Sequence, residues 1–178
     1  MLRLRYYGDP ALRRKAAPVR EIDDGIRELA RDMFKVMWAV HGVGLAGNQV
    51  GVLLRIVVID PSAGTERGAG FALINPRVTS RTGSFIDEEG CLSFPGLRLE
   101  VRRPLEVRVE GLDLEGNRVA VELAGLLART VLHELDHLDG VTFNKRLTLF
   151  KRLAMMFKLP KLRRKYLRMK APTSGEGT

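Results

Sequence analysis

Residues 125–139 constrain the fold more than any other stretch of this 178-residue chain. Leu126, Leu127, Val131, Leu135 and Leu138 recur at the three- and four-residue spacings of a helix, and Gly140 ends the pattern. Set into this apolar helix is His133-Glu134-Leu135-Asp136-His137. Residues four apart share a helix face, so both imidazoles can reach one ion, with Glu134 beside them and free to touch a water held there. Charged and imidazole groups are costly to bury without partners. The rest of the chain must therefore wrap this helix and supply what the two histidines lack.

Hydrolytic zinc-type centres take three protein ligands and keep one position for water. Downstream of His137 the candidates are Asp139, which points to another side of the helix, and Glu176, in the polar terminal stretch. The third ligand is thus sought upstream, where the chain offers its single cysteine, Cys91, and its remaining histidine, His41. His41 follows an amphipathic helix and reads as its cap. Cys91 is a soft, anionic donor and the stronger choice. A lone cysteine is more often a small buried hydrophobe, but the paired histidines reverse that reading. A Cys/His/His centre with an open position draws the pKa of bound water toward neutrality, and Glu134 is placed to accept that proton and deliver it to a leaving amine. The tetrahedral oxyanion then needs donors. A backbone N–H near Cys91 and a side-chain amide of Asn48 or Gln49 are the candidates.

The other segments read as a small α+β domain with a helical tail. Ile22, Ile26, Leu29, Ala30, Met33, Phe34, Met37 and Val40 predict an amphipathic helix over 22–40, with Asp23 and Asp24 at its positive end and the glycines of His41-Gly42-Val43-Gly44 to stop it. Residues 55–60 have the β-branched richness of a buried strand. A further apolar run from Phe71 is expected to stop at Asn75, before Pro76. Alternation over 105–110 and 118–123, with turn chemistry between, predicts an antiparallel hairpin. A catalytic body over 1–146 and a basic tail over 147–178 are expected, with Pro160 breaking or kinking the tail helix and the last residues disordered. From Lys145 onward there are eleven lysines and arginines against the single acid Glu176, so most of the +9 net charge lies in the tail and the body is close to neutral. Such asymmetry suits a polyanionic partner, nucleic acid ahead of a membrane surface; a merely solvated helix is the bland alternative. No apolar run reaches the length of a membrane span and the start lacks a signal-peptide pattern, so a cytoplasmic address is expected.

Three segments resemble the peptide deformylase family, whose members remove the formyl group from the initiating methionine of new proteins. Gly42-Val43-Gly44-Leu45-Ala46-Gly47-Asn48-Gln49 resembles its first motif, Glu89-Gly90-Cys91-Leu92-Ser93 matches its second, and His133-Glu134-Leu135-Asp136-His137 its third, in the family's order. The resemblance covers roughly residues 1–150. It implies antiparallel β-sheets packed around a central metal-binding helix, and ligation of one divalent ion by Cys91, His133 and His137. Ferrous iron is the usual choice, with zinc, nickel or cobalt as substitutes. It makes Glu134 the general acid/base and gives the Gln49 side chain and the Leu92 N–H to the oxyanion. Val43 and Gly44 are expected to pair with the substrate backbone, Arg98 to meet its carbonyl, and Leu126, Arg129 and Thr130 to line the methionine pocket. The basic tail is expected to dock on the ribosome near the exit of the nascent chain.

Two positions depart from the family pattern. Gly47 stands where alanine is usual and is expected to loosen the backbone near Gln49; Leu132 replaces a common glutamine, at the expense of a hydrogen bond behind the ligands. Asp136 is expected to hold the helix by pairing with Arg102 or Arg103. A peptidase cutting internal bonds is disfavoured by the absent downstream ligand. A silent, ribosome-binding relative is disfavoured by the intact ligand set.

Overall fold

The run Ile56-Val57-Val58-Ile59 explains the layering of the molecule, because it is covered on both faces. In the computed structural model, which describes residues 2–62, 70–147, 153, 155 and 158–169, this run is strand β2 (Ile56–Ile59). Val57 and Ile59 pack toward helix α2 (Gly125–Leu138), in a cluster with Leu73, Val109, Ala128, Val131, Leu135 and Leu138. Ile56 and Val58 pack toward helix α1 (Asp24–Ala39), with Ala30, Met33 and Met37. A strand buried on both sides needs continuous rather than alternating apolar residues, and this one has them.

The remaining strands are β1 (Gly44–Ala46), β3 (Phe71–Thr82), β4 (Phe85–Gly90), β5 (Arg98–Arg103), β6 (Glu106–Leu112) and β7 (Arg118–Ala124). Among the described residues they form an antiparallel five-stranded sheet in the order β1-β2-β3-β6-β7 and a separate β4-β5 hairpin. The predicted hairpin is β6-β7, with Val107 opposite Leu123 and Val109 opposite Val121. A third cluster, of Phe94, Val101 and Phe143, fills the space between the small hairpin and the 3₁₀ turn Phe143–Arg146. The fold is α+β, with α2 against the sheet as its central helix.

Two local expectations are corrected. Strand β3 does not stop at Asn75: it runs through Pro76 to Thr82, with a shift of register between Ile74 and Arg77. Asn75 adopts φ 53° there, and its side chain pairs with both the N–H and the carbonyl of Val19, so the bulge accommodates the proline. Helix α1 is ended by His41, the residue read as its cap, and not by one of the glycines. His41 takes φ 54°, and Gly42 N–H donates back to the Met37 carbonyl at 2.9 Å. Pro160 lies in the first turn of helix α3 (Lys158–Met169), where its missing N–H removes no intrahelical bond; the break or kink expected there concerns the stretch from Leu147, most of which lies outside the described residues. Much of the tail stretch between Leu147 and Lys158, and the terminal residues expected to be disordered, lie outside the described residues. Among those described, no helix is long and apolar enough to cross a membrane.

Candidate active site

Helix α2 enters the core with its second half almost wholly buried, and on that half it presents His133, Glu134 and His137. Cys91 follows directly after β4. The sulfur of Cys91 and one ring nitrogen from each of His133 and His137 lie within 4.8 Å of one another, the sulfur 3.2 Å from His137 Nε2. Among the described residues this is the one such group of potential ligands. His133 Nε2, His137 Nδ1 and Glu134 Oε2 are buried without a hydrogen-bond partner. Buried polar atoms are rarely orphaned in this way, and one sulfur with two imidazole nitrogens is a donor set that suits a borderline-soft divalent cation. The residues present therefore fit a metal ion. His41 is not part of the group; it sits at the cavity mouth.

What fixes the His133 imidazole is Glu89, on β4. Its carboxylate accepts from Arg103 at 2.7 and 2.9 Å and from Arg129 at 2.9 Å, and it lies 3.0 Å from His133 Nδ1. Burial pushes the Glu89 carboxyl up, but the bonds from Arg103 and His133 outweigh it and hold the group down at about 2. An ionised carboxylate can only accept, so His133 Nδ1 carries the proton and Nε2 presents its lone pair to the site. In the protein without metal, burial opposes charge on His133, yet Cys91 and Glu89 raise its pKa well above the ordinary value. Burial, and then the charge of His133, lowers that of His137. Burial also raises Glu134, to about 7.

Glu134 is admitted to this place by Gly44. A Cβ on Gly44 would stand 2.6 Å from Thr130 Cγ2 and 2.9 Å from Glu134 Oε1, so only glycine lets β1 and α2 approach so closely. Gln49 lies in the 3₁₀ turn Gly47–Val50. Its Oε1 accepts from Ala46 N–H at 2.8 Å, which turns Nε2 toward the site, 3.8 Å from Cys91 Sγ. Asn48, the alternative amide, instead donates to the carbonyls of Ala11 and Arg14 and is structural. A cavity of about 580 Å³ opens in front of these groups. Val43, Gly44, Leu92, Arg98, Leu126, Arg129 and Thr130 all line it, so the sequence-derived set is brought together around one space. Their characters differ. Leu126 is 59% exposed, Arg98 is exposed with only a 4.0 Å approach to Glu88, and Thr130 is buried with its hydroxyl bonded to the Leu126 carbonyl. Arg129 reaches the cavity wall, but its Nη1 donates to Glu89 and to the carbonyls of Asp87 and Val101, while its guanidinium lies over the Phe85 ring.

Sequence reasoning left Arg102 and Arg103 open as partners of Asp136. The partner is Arg103, at 2.7 Å, and Arg102 turns to Ser84. It missed Arg146, which grips Asp136 with two bonds, and it missed the role of Glu89. The available signal was position: Glu89 is two residues before Cys91 at the end of an extended run, where alternate residues face the same way. Leu132 is simply core, packed with Val131 and Leu135. At Gly47 there is no room for a methyl group, since a Cβ there would meet the Val52 and Leu54 carbonyl oxygens at 2.8 Å.

Known proteins with the same pattern are numerous. The family model described as polypeptide deformylase matches residues 1–153. A peptide deformylase of Alkalilimnicola ehrlichii is 46% identical over 158 residues, covering 88% of this chain and 87% of that one. The solved structure of peptide deformylase from Thermus thermophilus superposes with a TM-score of 0.87 at 40% identity, over 95% of this chain and 99% of that one. The Legionella pneumophila enzyme gives 0.85 at 37%, over 97% and 99%. With the family's three motifs folded into one metal-competent site, this chain belongs to the polypeptide deformylase family and is an enzyme of that class.

Proposed function

We propose that the protein removes the N-formyl group from the initiator methionine of nascent chains, releasing formate and leaving a free amino terminus. The observation that carries this reading is the convergence of Cys91, His133 and His137 with the buried Glu134 at the base of a cavity bordered by the sheet edge β1. Cys91, His133 and His137 would hold a divalent cation, ferrous iron by the family resemblance. Bound there, it would supply Lewis acidity, drawing the pKa of water at the open position toward neutrality.

The chain's own groups do the rest. Glu134 takes the proton of the attacking water and passes it to the amine nitrogen as the C–N bond breaks. In the protein without metal, burial raises its carboxyl above the ordinary range, the direction that strengthens it as a proton acceptor. Gln49 Nε2 and the Leu92 N–H donate to the oxyanion. Val43 and Gly44 take the substrate backbone as an added strand, which the edge position of β1 allows. Leu126, Arg129 and Thr130 border the methionine side chain, and Arg98, exposed at the rim, meets a carbonyl further along. The substrate is a chain emerging from a ribosome, in the cytoplasm, and the exposed cations of α3 give the enzyme a surface for ribosomal RNA.

The reaction is tested by product identification with formyl-Met-Ala-Ser and fully metallated protein. Formate and intact Met-Ala-Ser in equal amounts support it. Cleavage at the Met–Ala bond, or no product at one metal per chain, overturns it.

A further inference from the structure

Helix α3 lies beyond the catalytic motifs, yet it is built into one wall of the cavity. Tyr166 is 1% exposed, and its hydroxyl donates to the Pro95 carbonyl at 2.8 Å. Its ring lies 5.9 Å from that of Tyr6. Pro95 and Tyr6 both line the cavity. Two turns earlier, Leu159 packs against the cluster of Phe94, Val101 and Phe143. Between them Arg163 covers Gly8, whose Cβ, were there one, would stand 2.8 Å from Arg163 Cγ. The N-terminal segment is tied to the same wall, since Tyr7 N–H donates to the Ser93 carbonyl and the Tyr7 ring packs 4.7 Å from Phe94.

The wall itself is a turn with little of its own to stiffen it. Between Cys91 and β5 the backbone bonds are Phe94 N–H to the Cys91 carbonyl and Leu97 N–H to the Phe94 carbonyl. Gly96 follows at φ 78° with open space around its α-carbon. A short turn of this kind is held by what packs behind it, and behind Pro95 stands Tyr166.

We infer that α3 is a buttress of the substrate cavity, and that Tyr166 is a positioning residue which fixes the Phe94–Arg98 wall and so sets the affinity for the peptide part of the substrate. This rests on the deformylase reading of the cavity. Tyr166 holds the wall at Pro95, four residues past Cys91 and three past the Leu92 N–H, so the loss of its hydroxyl falls first on substrate binding and only weakly on the chemical step.

The test uses the full chain, metallated, with formyl-Met-Ala-Ser as substrate and Met-Ala-Ser as a binding probe. Tyr166→Phe keeps the ring and its packing and removes only the bond to Pro95. Its KM should rise roughly three- to tenfold, with kcat within about twofold, and the Kd for Met-Ala-Ser should rise in step. Metal content and melting temperature should match the wild type. Leu159→Ala, which loosens the same wall from another position, should shift KM in the same direction. Unchanged KM and Kd in Tyr166→Phe overturn the inference, as does a fall in kcat at constant KM. A wild type without turnover would sink the proposed reaction instead. The Met-Ala-Ser affinities would then still decide the role of Tyr166, with equal values in wild type and variant overturning it.

Discussion

Gly47 faces a pair of carbonyl oxygens five and seven residues away, brought back by the 3₁₀ turn and the loop after it. No local pattern in the chain displays that closeness, whereas the chemistry of Glu134 depends on neighbours at fixed helical spacing and is displayed directly. Backbone oxygens cannot swing aside as a flexible side chain can. Gly47→Ala, which would restore the residue common in the family, should therefore destabilise this protein by about 1–3 kcal/mol, the usual range for overpacking. The check is the urea midpoint at fixed metal loading. A variant as stable as the wild type would mean that the 52–54 loop yields. Gly44→Ala should act on function more than on folding, since its new methyl group would press on Glu134 Oε1 and on Thr130. We expect a loss of at least tenfold in kcat, measured by formate release.

Elements, more than residues, determine how firmly the site is held. Strand β4 delivers Glu89 beneath His133, strand β5 delivers Arg103 between Glu89 and Asp136, and the turn Phe143–Arg146 adds Arg146. The result ties the base of the tail to the metal-binding helix through charges. Glu89→Gln should weaken metal binding by roughly 10- to 100-fold, as loss of a ligand's orienting partner does, read by competition with a chelator. It should also change the acid limb of stability. The unfolded chain binds a proton at Glu89 near 4.5 and the folded one near 2, so the wild type gains stability as pH rises through that window and loses it as pH falls from about 4.5 to about 2. The gap between wild type and Glu89→Gln in urea midpoint should thus be wide at pH 6 and narrow at pH 3. An equal gap at both would show that Glu89 is not held ionised. At this scale the sequence disclosed helix α2, the β6-β7 hairpin and the buried strand β2, each carried by a local period. It did not disclose that β3 continues past Pro76, because the bulge is licensed by Asn75 bonding to Val19, 56 residues away.

Across the whole molecule, the body and the tail differ in charge. The body is close to neutral and holds the site, while α3 carries Lys161, Arg163, Arg164 and Lys165 on its exposed surface and turns Tyr166 inward. The two sides of one helix can be tested apart. Reversing Lys161, Arg164 and Lys165 to glutamate should weaken binding to purified ribosomes and flatten its salt dependence, while leaving turnover of a free tripeptide unchanged. Ribosome affinity equal to the wild type would remove the tail from that role. The basic excess was plain from composition, but the inward side of α3 was not, since one tyrosine in a cationic stretch does not announce a partner such as Pro95.

The central claim is that Glu134 moves the proton at a Cys91/His133/His137 metal centre, and one comparison bears on it most directly. Formate release from formyl-Met-Ala-Ser would be measured for wild type and Glu134→Gln, each anaerobically purified, with metal content determined on the same samples. We predict one metal per chain in both, turnover in the wild type, and a kcat lower by about 10²- to 10⁴-fold in the variant. A metallated Glu134→Gln that turns over as fast as the wild type would contradict the account.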